Sequence, residues 1–363
     1  MSAATLPAAT GAAKQKTSSQ EKLGAVIDRL LVDMEQGKEP WRMPWVSAGN
    51  EPYLPVSGAT GRPYRGFNVF HLWMSSLTNG WTSPRFYTFS QVRKLTGKVR
   101  KGQPGTEVFL WRPAIKLPAP VNGKSWLYDG QDVIPKPLPK GARRILILRT
   151  FFVWNADQCE DLPMPKDETP PGTTDAVVTV PVGDDPAEIA ALIAALGGVV
   201  TVKSGGAVAA YSKLRDDIIM PERKDFTSSD GYYSTLFHEY SHASGHPSRL
   251  NRETLGNPDS VSHAVEELVA ESGAALVMAA LGQPYSSQHA AYLRSWARDL
   301  SGLPATERHR KVLSAFQGGQ KAADWVLSGG TKVPSPHHDD GGTKSDGSAG
   351  EAQVAEDMPV TQE

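Results

Sequence analysis

The chain has 363 residues, a formal net charge of −1, 39% hydrophobic residues and a single cysteine. It is long enough for two domains with their own cores. One cysteine excludes an intrachain disulfide and makes a reducing, cytoplasmic setting the default. No apolar run approaches the roughly 18 residues that a membrane helix needs, and the N-terminus lacks the apolar core of a secretory signal.

The near-neutral total conceals an asymmetry. Residues 21–150 carry 20 Lys and Arg against 9 Asp and Glu, whereas 151–363 carry a net −14. The first part is built to meet polyanions and the second is not.

In chain order, residues 1–20 are rich in Ala, Thr, Ser and Gln without periodicity and read as a disordered leader. Leu23, Val26, Ile27, Leu30, Leu31 and Met34 then recur at helical spacing, up to a stop near Gly37 and Pro40. The run P-W-R-M-P-W follows, and then a Gly and Arg turn leads into an apolar helix from about Asn68. Strands are expected at Glu107 to Trp111 and Arg144 to Trp154, separated by a long Pro and Lys-bearing loop over 118–140. Residues 21–155 therefore read as an α+β domain with a small antiparallel sheet.

Aromatic rings interleaved with cations suit single-stranded nucleic acid, because bases stack on flat apolar faces while phosphates are drawn to Lys and Arg. The candidates are Trp41, Arg42, Trp45, Tyr64, Arg65, Arg85, Tyr87, Lys98, Arg100 and Lys101. Phe67, Phe70, Phe109 and Phe151 are expected in the core. No helix-turn-helix, zinc-finger or basic-zipper pattern points to duplex reading.

Residues 156–175 are acidic and Pro-rich and read as a linker. A second domain spans 176–328. It opens with a helix near Pro186 to Leu196 and strands near 199–203, 207–211 and 216–221. The last is expected as an edge strand able to hold an extended peptide by backbone pairing. Residues 329–363 are dominated by Gly, Ser, Asp, Glu and Pro and read as a disordered acidic tail.

The chemistry lies at His238, Glu239 and His242, an H-E-x-x-H arrangement. On a helix, positions i and i+4 share a face, so both imidazoles can reach one metal ion, with the Glu239 carboxylate beside it as a base. Ser229 and Asp230 are cap-type residues at the helix start, and Gly245 with Pro247 ends it. A catalytic site needs a third ligand, and the Ala-rich helical run 261–281 offers Glu266, Glu267 and Glu271. Glu267 and Glu271 are i and i+4. Glu267 is assigned as third ligand and Glu271 as a carboxylate orienting a ligand histidine, although the two could exchange roles. Glu266 is expected to face solvent. Further amphipathic helices are expected at Tyr285 to Leu300 and Ala305 to Leu327, with Tyr292 as a half-buried packing residue that could alternatively stabilise an oxyanion. Two imidazoles and a carboxylate suit zinc best, and manganese or cobalt could also occupy such a site.

Several long motifs resemble the ArdC antirestriction family of conjugative plasmids and mobile elements, over about residues 20–328. In the N-terminal half these are P-W-R-M-P-W (40–45), G-R-P-Y-R-G-F-N (61–68), V-R-K-G-Q-P-G-T (99–106) and F-V-W-N-A-D-Q-C-E-D-L-P (152–163), similar to that family's single-stranded-DNA-binding domain. In the C-terminal half they are G-Y-Y-S-T-L-F-H-E-Y-S-H-A-S-G-H-P-S-R-L-N-R (231–252) and E-E-L-V-A-E (266–271), similar to its zincin-like metallopeptidase domain. One departure is Tyr240, where an aliphatic residue is expected; the ligands are intact. The resemblance implies two α+β domains, and a protein that binds single-stranded DNA and protects incoming plasmid DNA from host restriction.

Two functions follow from these readings. In one, DNA binding is the operative property, and protection comes from coating DNA or masking a restriction enzyme. In the other, the chain is a zinc-dependent endopeptidase acting on a restriction enzyme or another protein. A nuclease is disfavoured, since the site lacks the paired metals of two-metal phosphodiester cleavage.

Overall fold

A computed structural model describes residues 17–44, 53–121, 123–128, 132, 134–163, 186–287 and 290–331. Trp45, residues 1–16 of the expected leader, 164–175 of the expected linker and 332–363 of the expected tail lie outside the described residues. The architecture is α+β, as the sequence predicts. By contact the described residues divide into two compact units that interleave in sequence: those of 17–25 with 109–150, and those of 26–108 with 151–331.

The larger unit takes in most of α1 (Ser19–Glu35), whose Ile27, Leu30, Leu31 and Met34 are buried as the helical spacing requires. Strand β1 (Val56–Ser57) precedes α2 (Phe67–Asn79), which starts at Phe67 and closes on the left-handed Gly80. Strand β2 (Arg85–Thr88) leads directly into α3 (Phe89–Lys94), and β3 (Lys98–Val99) follows. The long strands β4 (Thr106–Val121) and β6 (Arg143–Asn155) each continue from one unit into the other. Between them β5 (Lys124–Tyr128) pairs back on β4, so the expected loop over 118–140 contains a strand. Within the larger unit β2 pairs with β1 in parallel and with β6 antiparallel.

Residues 156–160 belong to the fold and not to the linker. A 3-10 turn over Ala156–Gln158 and the short strand β7 (Cys159–Glu160), paired with β3, leave the chain tied down. Phe151, expected in the core, is 40% exposed, whereas Phe67, Phe70 and Phe109 are buried.

Helix α4 (Ala187–Gly197) precedes a three-stranded sheet of β8 (Thr201–Ser204), β9 (Ala210–Ser212) and β10 (Asp217–Met220). β10 lies in the middle, parallel to β8 and antiparallel to β9, so it is not the edge strand that its sequence position suggests. The helical layer is α5 (Ser229–Ala243), α6 (Ser260–Ala280), α7 (Leu293–Ser301) and α8 (Ala305–Leu327). The expected helix from Tyr285 is regular only from Leu293, after a 3-10 turn, and Tyr292 is 60% exposed rather than half-buried. α6 is buried nearly all round, so its polar residues Glu266, Glu271 and Ser272 are enclosed along with the apolar ones. Glycines permit that enclosure: a Cβ on Gly319 of α8 would lie 2.0 Å from Ser272 Oγ, and one on Gly273 would lie 2.6 Å from Ser241 Oγ. Among the described residues no helix is long and apolar enough to cross a membrane.

Candidate metal centre

α5 and α6 are started by side-chain caps, which fix where their functional residues fall. Ser228 accepts from Gly231 N at 3.1 Å, one residue before the cap position read from sequence, and Asp259 accepts from Ser262 N at 2.8 Å. His238, Glu239 and His242 then lie on one turn of α5, and Glu267 approaches them from α6.

Three ligand atoms converge. His238 Nε2 and His242 Nε2 are 3.1 Å apart, and Glu267 turns both carboxylate oxygens toward them, Oε2 3.6 Å from His238 Nε2 and Oε1 3.6 Å from His242 Nε2. Donors about 2.0–2.1 Å from a tetrahedral ion are separated by roughly 3.3 Å, so the imidazole pair and the carboxylate are spaced closely enough to share one ion. The remote imidazole nitrogens are held as a metal site requires. His238 Nδ1 lies 3.3 Å from Glu271, and His242 Nδ1 lies 3.2 Å from Glu266. Carboxylates there keep the proton on Nδ1 and leave the Nε2 lone pairs aimed at the shared point. The geometry and donor set fit a divalent cation.

Each orienting carboxylate is itself anchored. Glu271, fully buried, accepts from the Tyr285 hydroxyl at 2.6 Å. Glu266 accepts from Arg252 at 2.6 and 3.1 Å and from the Thr254 hydroxyl at 2.6 Å. Glu266 was expected to face solvent, and it is 4% exposed. Its position one residue before Glu267 turns it toward His242, because α5 packs across that flank of α6. A sequence signal exists: Arg252, in the same loop motif as Arg249, needs an acid once it is buried.

The titration shifts express this charge pairing. Burial works against a charged His238, yet the carboxylates of Glu267 and Glu271 outweigh it and hold its pKa well above the usual histidine value. Burial likewise works against the Glu266 and Glu267 carboxylates, and it is overcome at both. His242 and Arg252 bring Glu266 down to about 2; His238 and His242 bring Glu267 down to about 2.

The site opens into a cavity of about 370 Å³ lined by Glu239, Ala209, Ala210, Tyr211, Lys213 and His263, among others. Glu239 is itself only 4% exposed. The strand beside the cavity is the edge strand β9. Arg249 joins that strand to the metal helix: it pairs with Asp216, donates to the Tyr211 hydroxyl at 3.1 Å and donates to Ala243 O at 2.7 Å. Tyr240 is fully buried in α5, a packing role.

The residues expected to bind nucleic acid are placed less uniformly. Trp41 is fully buried and Tyr87 is 4% exposed, so neither offers a face to a base. Tyr87 fills the space left by Gly58, where a Cβ would meet its ring at 2.0 Å. Tyr64 is half-buried and edge-on to Phe86 at 6.2 Å, and burial pushes its pKa up to about 12. Arg65 pairs with Asp324 at 2.5 Å, Lys98 with Asp161 at 3.5 Å and Arg100 with Glu160 at 3.6 Å. Arg85 is half-buried in β2, whereas Arg42 and Lys101 are exposed.

Comparison with known proteins agrees with both halves. Residues 21–122 match the family model described as the N-terminal domain of anti-restriction factor ArdC, and residues 187–307 match a zincin-like metallopeptidase model. The crystal structure of the antirestriction protein ArdC from the R388 plasmid, in its metal-free form, is similar with a TM-score of 0.65 at 30% identity. That match covers 85% of this chain and 97% of that one. A Mn(II)-bound structure of the same protein gives a TM-score of 0.63 at 30% identity, over 86% and 99% of the two chains. A DNA primase TraC of Escherichia coli is 32% identical over 84% of this chain, which spans only 20% of that protein's length.

Proposed function

This chain belongs to the ArdC antirestriction family, and we propose that it binds single-stranded DNA and protects incoming plasmid DNA from restriction in the host cytoplasm, carrying a zinc ion on His238, His242 and Glu267. The observation that carries the antirestriction reading is the reach of the likeness: it takes in both domains and 97% of the length of the R388 protein. The excess of cations in residues 21–150 supports the nucleic-acid half.

A divalent cation at this site would supply Lewis acidity toward a carbonyl oxygen and a lowered pKa for water. The chain's own residues are arranged to use both. Glu271 and Glu266 hold the imidazoles in one tautomer, and Glu239 lines the same cavity as a base for a water proton and a later donor to a leaving amine. The edge of β9 offers backbone groups for an extended peptide, in place of the expected 216–221 strand.

These features favour a second reading, in which proteolysis of a restriction enzyme or another protein is the main activity. A restriction-protection assay in cells separates the two. If DNA binding is the operative property, Glu239→Gln protects as well as the parent, and Arg100→Ala with Lys101→Ala protects less. The opposite pattern identifies the peptidase reading.

A further inference from the structure

The two buried rings, Trp41 and Tyr87, leave open which aromatic faces a base could meet. The larger unit has an exposed aromatic cluster elsewhere, around Phe89. Phe89 is 50% exposed and Phe152 is 40% exposed. Trp154 is half-buried and packs edge-on to Phe89 with ring centroids 5.8 Å apart. Phe152 and Trp154 are two residues apart on β6, hence on one face of the sheet.

The cluster is held rigidly. Thr88 caps α3 through a reciprocal pair with Gln91, at 3.3 and 2.8 Å, which fixes Phe89 at the first helical position. The Trp154 ring is pinned by a bond from Nε1 to Gln103 O at 3.2 Å. The chain passes closely at Gly105, where a Cβ would lie 2.9 Å from the indole and 3.1 Å from Phe152. Flat, fixed, partly uncovered rings lose little entropy when a planar ligand stacks on them.

Cations surround the rings. Arg93 and Lys94 are exposed and line one concavity with Phe89 and Ser90, and the turn that carries Gln103 and Gly105 also carries the exposed Lys101. This charge selects a polyanion over an apolar partner helix. The exposed ring faces select an unpaired strand over a duplex, whose bases are already stacked on one another.

We propose that Phe89, Phe152 and Trp154, flanked by Arg93, Lys94 and Lys101, form a stacking platform for the bases of an unpaired nucleic-acid strand. The assignment rests on the single-strand-binding reading above and gives it a location and a mode. Stacking of this kind tolerates any base, as protection of arbitrary incoming DNA requires.

The test is an anisotropy titration of the full chain with labelled oligo-dT, oligo-rU and a duplex hairpin, over a range of salt concentrations. Phe89→Ala is expected to weaken single-strand binding about tenfold, with the salt dependence unchanged, while Phe89→Trp restores it. Lys94→Ala is expected to lower the salt slope instead. A loss confined to oligo-dT identifies a DNA platform, and an equal loss on both strands identifies one indifferent to the sugar. If the parent binds single strands and Phe89→Ala with Phe152→Ala binds them equally well, the platform is refuted and the single-strand reading stands. If the parent binds neither strand, both are refuted.

Discussion

Glu266 Oε1 lies 3.2 Å from His242 Nδ1, and the same carboxylate is gripped by Arg252 at 2.6 Å. The second imidazole has a matching chain, from Tyr285 through Glu271 to His238. Both imidazoles are therefore held by a buried acid that is itself held. A metal site whose orienting partner is removed commonly loses about 10–100-fold in affinity. Glu266→Gln should weaken zinc binding by that order while leaving one ion per chain, as read by competition with a chromophoric chelator. Unchanged affinity would show that the carboxylate does not orient His242.

Arg252 has a separate, structural consequence. Its guanidinium is nearly buried and satisfies Glu266, Ser244 and the Ser241 carbonyl. Arg252→Met strands the Glu266 carboxylate, and breaking a buried pair from one side costs about 3–5 kcal/mol. A clear fall in the urea midpoint is expected, and pairing the change with Glu266→Met should recover much of it.

His71 gives a pH signature away from the metal. Its Nε2 is shielded from solvent, and burial, with Arg29 adding to it and the Glu107 backbone opposing, lowers its pKa to about 4 from 6.5. The folded value is the lower one, so between those values the unfolded chain binds the extra proton. Stability is therefore fully present above pH 6.5 and falls as pH drops toward 4. From pH 7 to pH 5 the His71 contribution should fall by about 2 kcal/mol. Urea unfolding of the parent and His71→Leu at both pH values measures it: the gap between them should narrow or reverse at pH 5.

The close crossing of α6 and α8 predicts a steric cost. A Cβ on Gly319 would meet Ser272 Oγ at 2.0 Å and Gly273 N at 3.1 Å. Gly319→Ala should lower stability by about 1–3 kcal/mol despite the better helix propensity of alanine. A melting temperature equal to the parent's would mean that the helices separate freely there.

Much of the His238, His242 and Glu267 cluster is legible because its residues sit at fixed helical offsets: His242 follows His238 by four positions, and Glu271 follows Glu267 by four. Glu266 was misread because a single buried face was assigned to α6, which in fact is enclosed by both α5 and α8. Arg252, Thr254 and Tyr285 come from loops, where no periodicity tells a side chain which way to point. The nucleic-acid residues were harder for a related reason. Alternation of rings and cations does not distinguish Trp41, which is buried, from Phe89, which is not; nor does it show that Gly58 leaves room for the Tyr87 ring to be buried. β10 was read as an edge strand because chain order does not reveal that β9 inserts itself on the outer side.

His238, His242 and Glu267, from two helices, are proposed to hold one divalent ion. The most direct test of this is the metal content of the full chain by mass spectrometry, after zinc loading and exhaustive dialysis, for the parent, His238→Ala and Glu267→Gln. One zinc ion per chain is expected in the parent, little or none in His238→Ala and a sharply reduced content in Glu267→Gln. A parent that retains no zinc, or variants that retain as much as the parent, would contradict it.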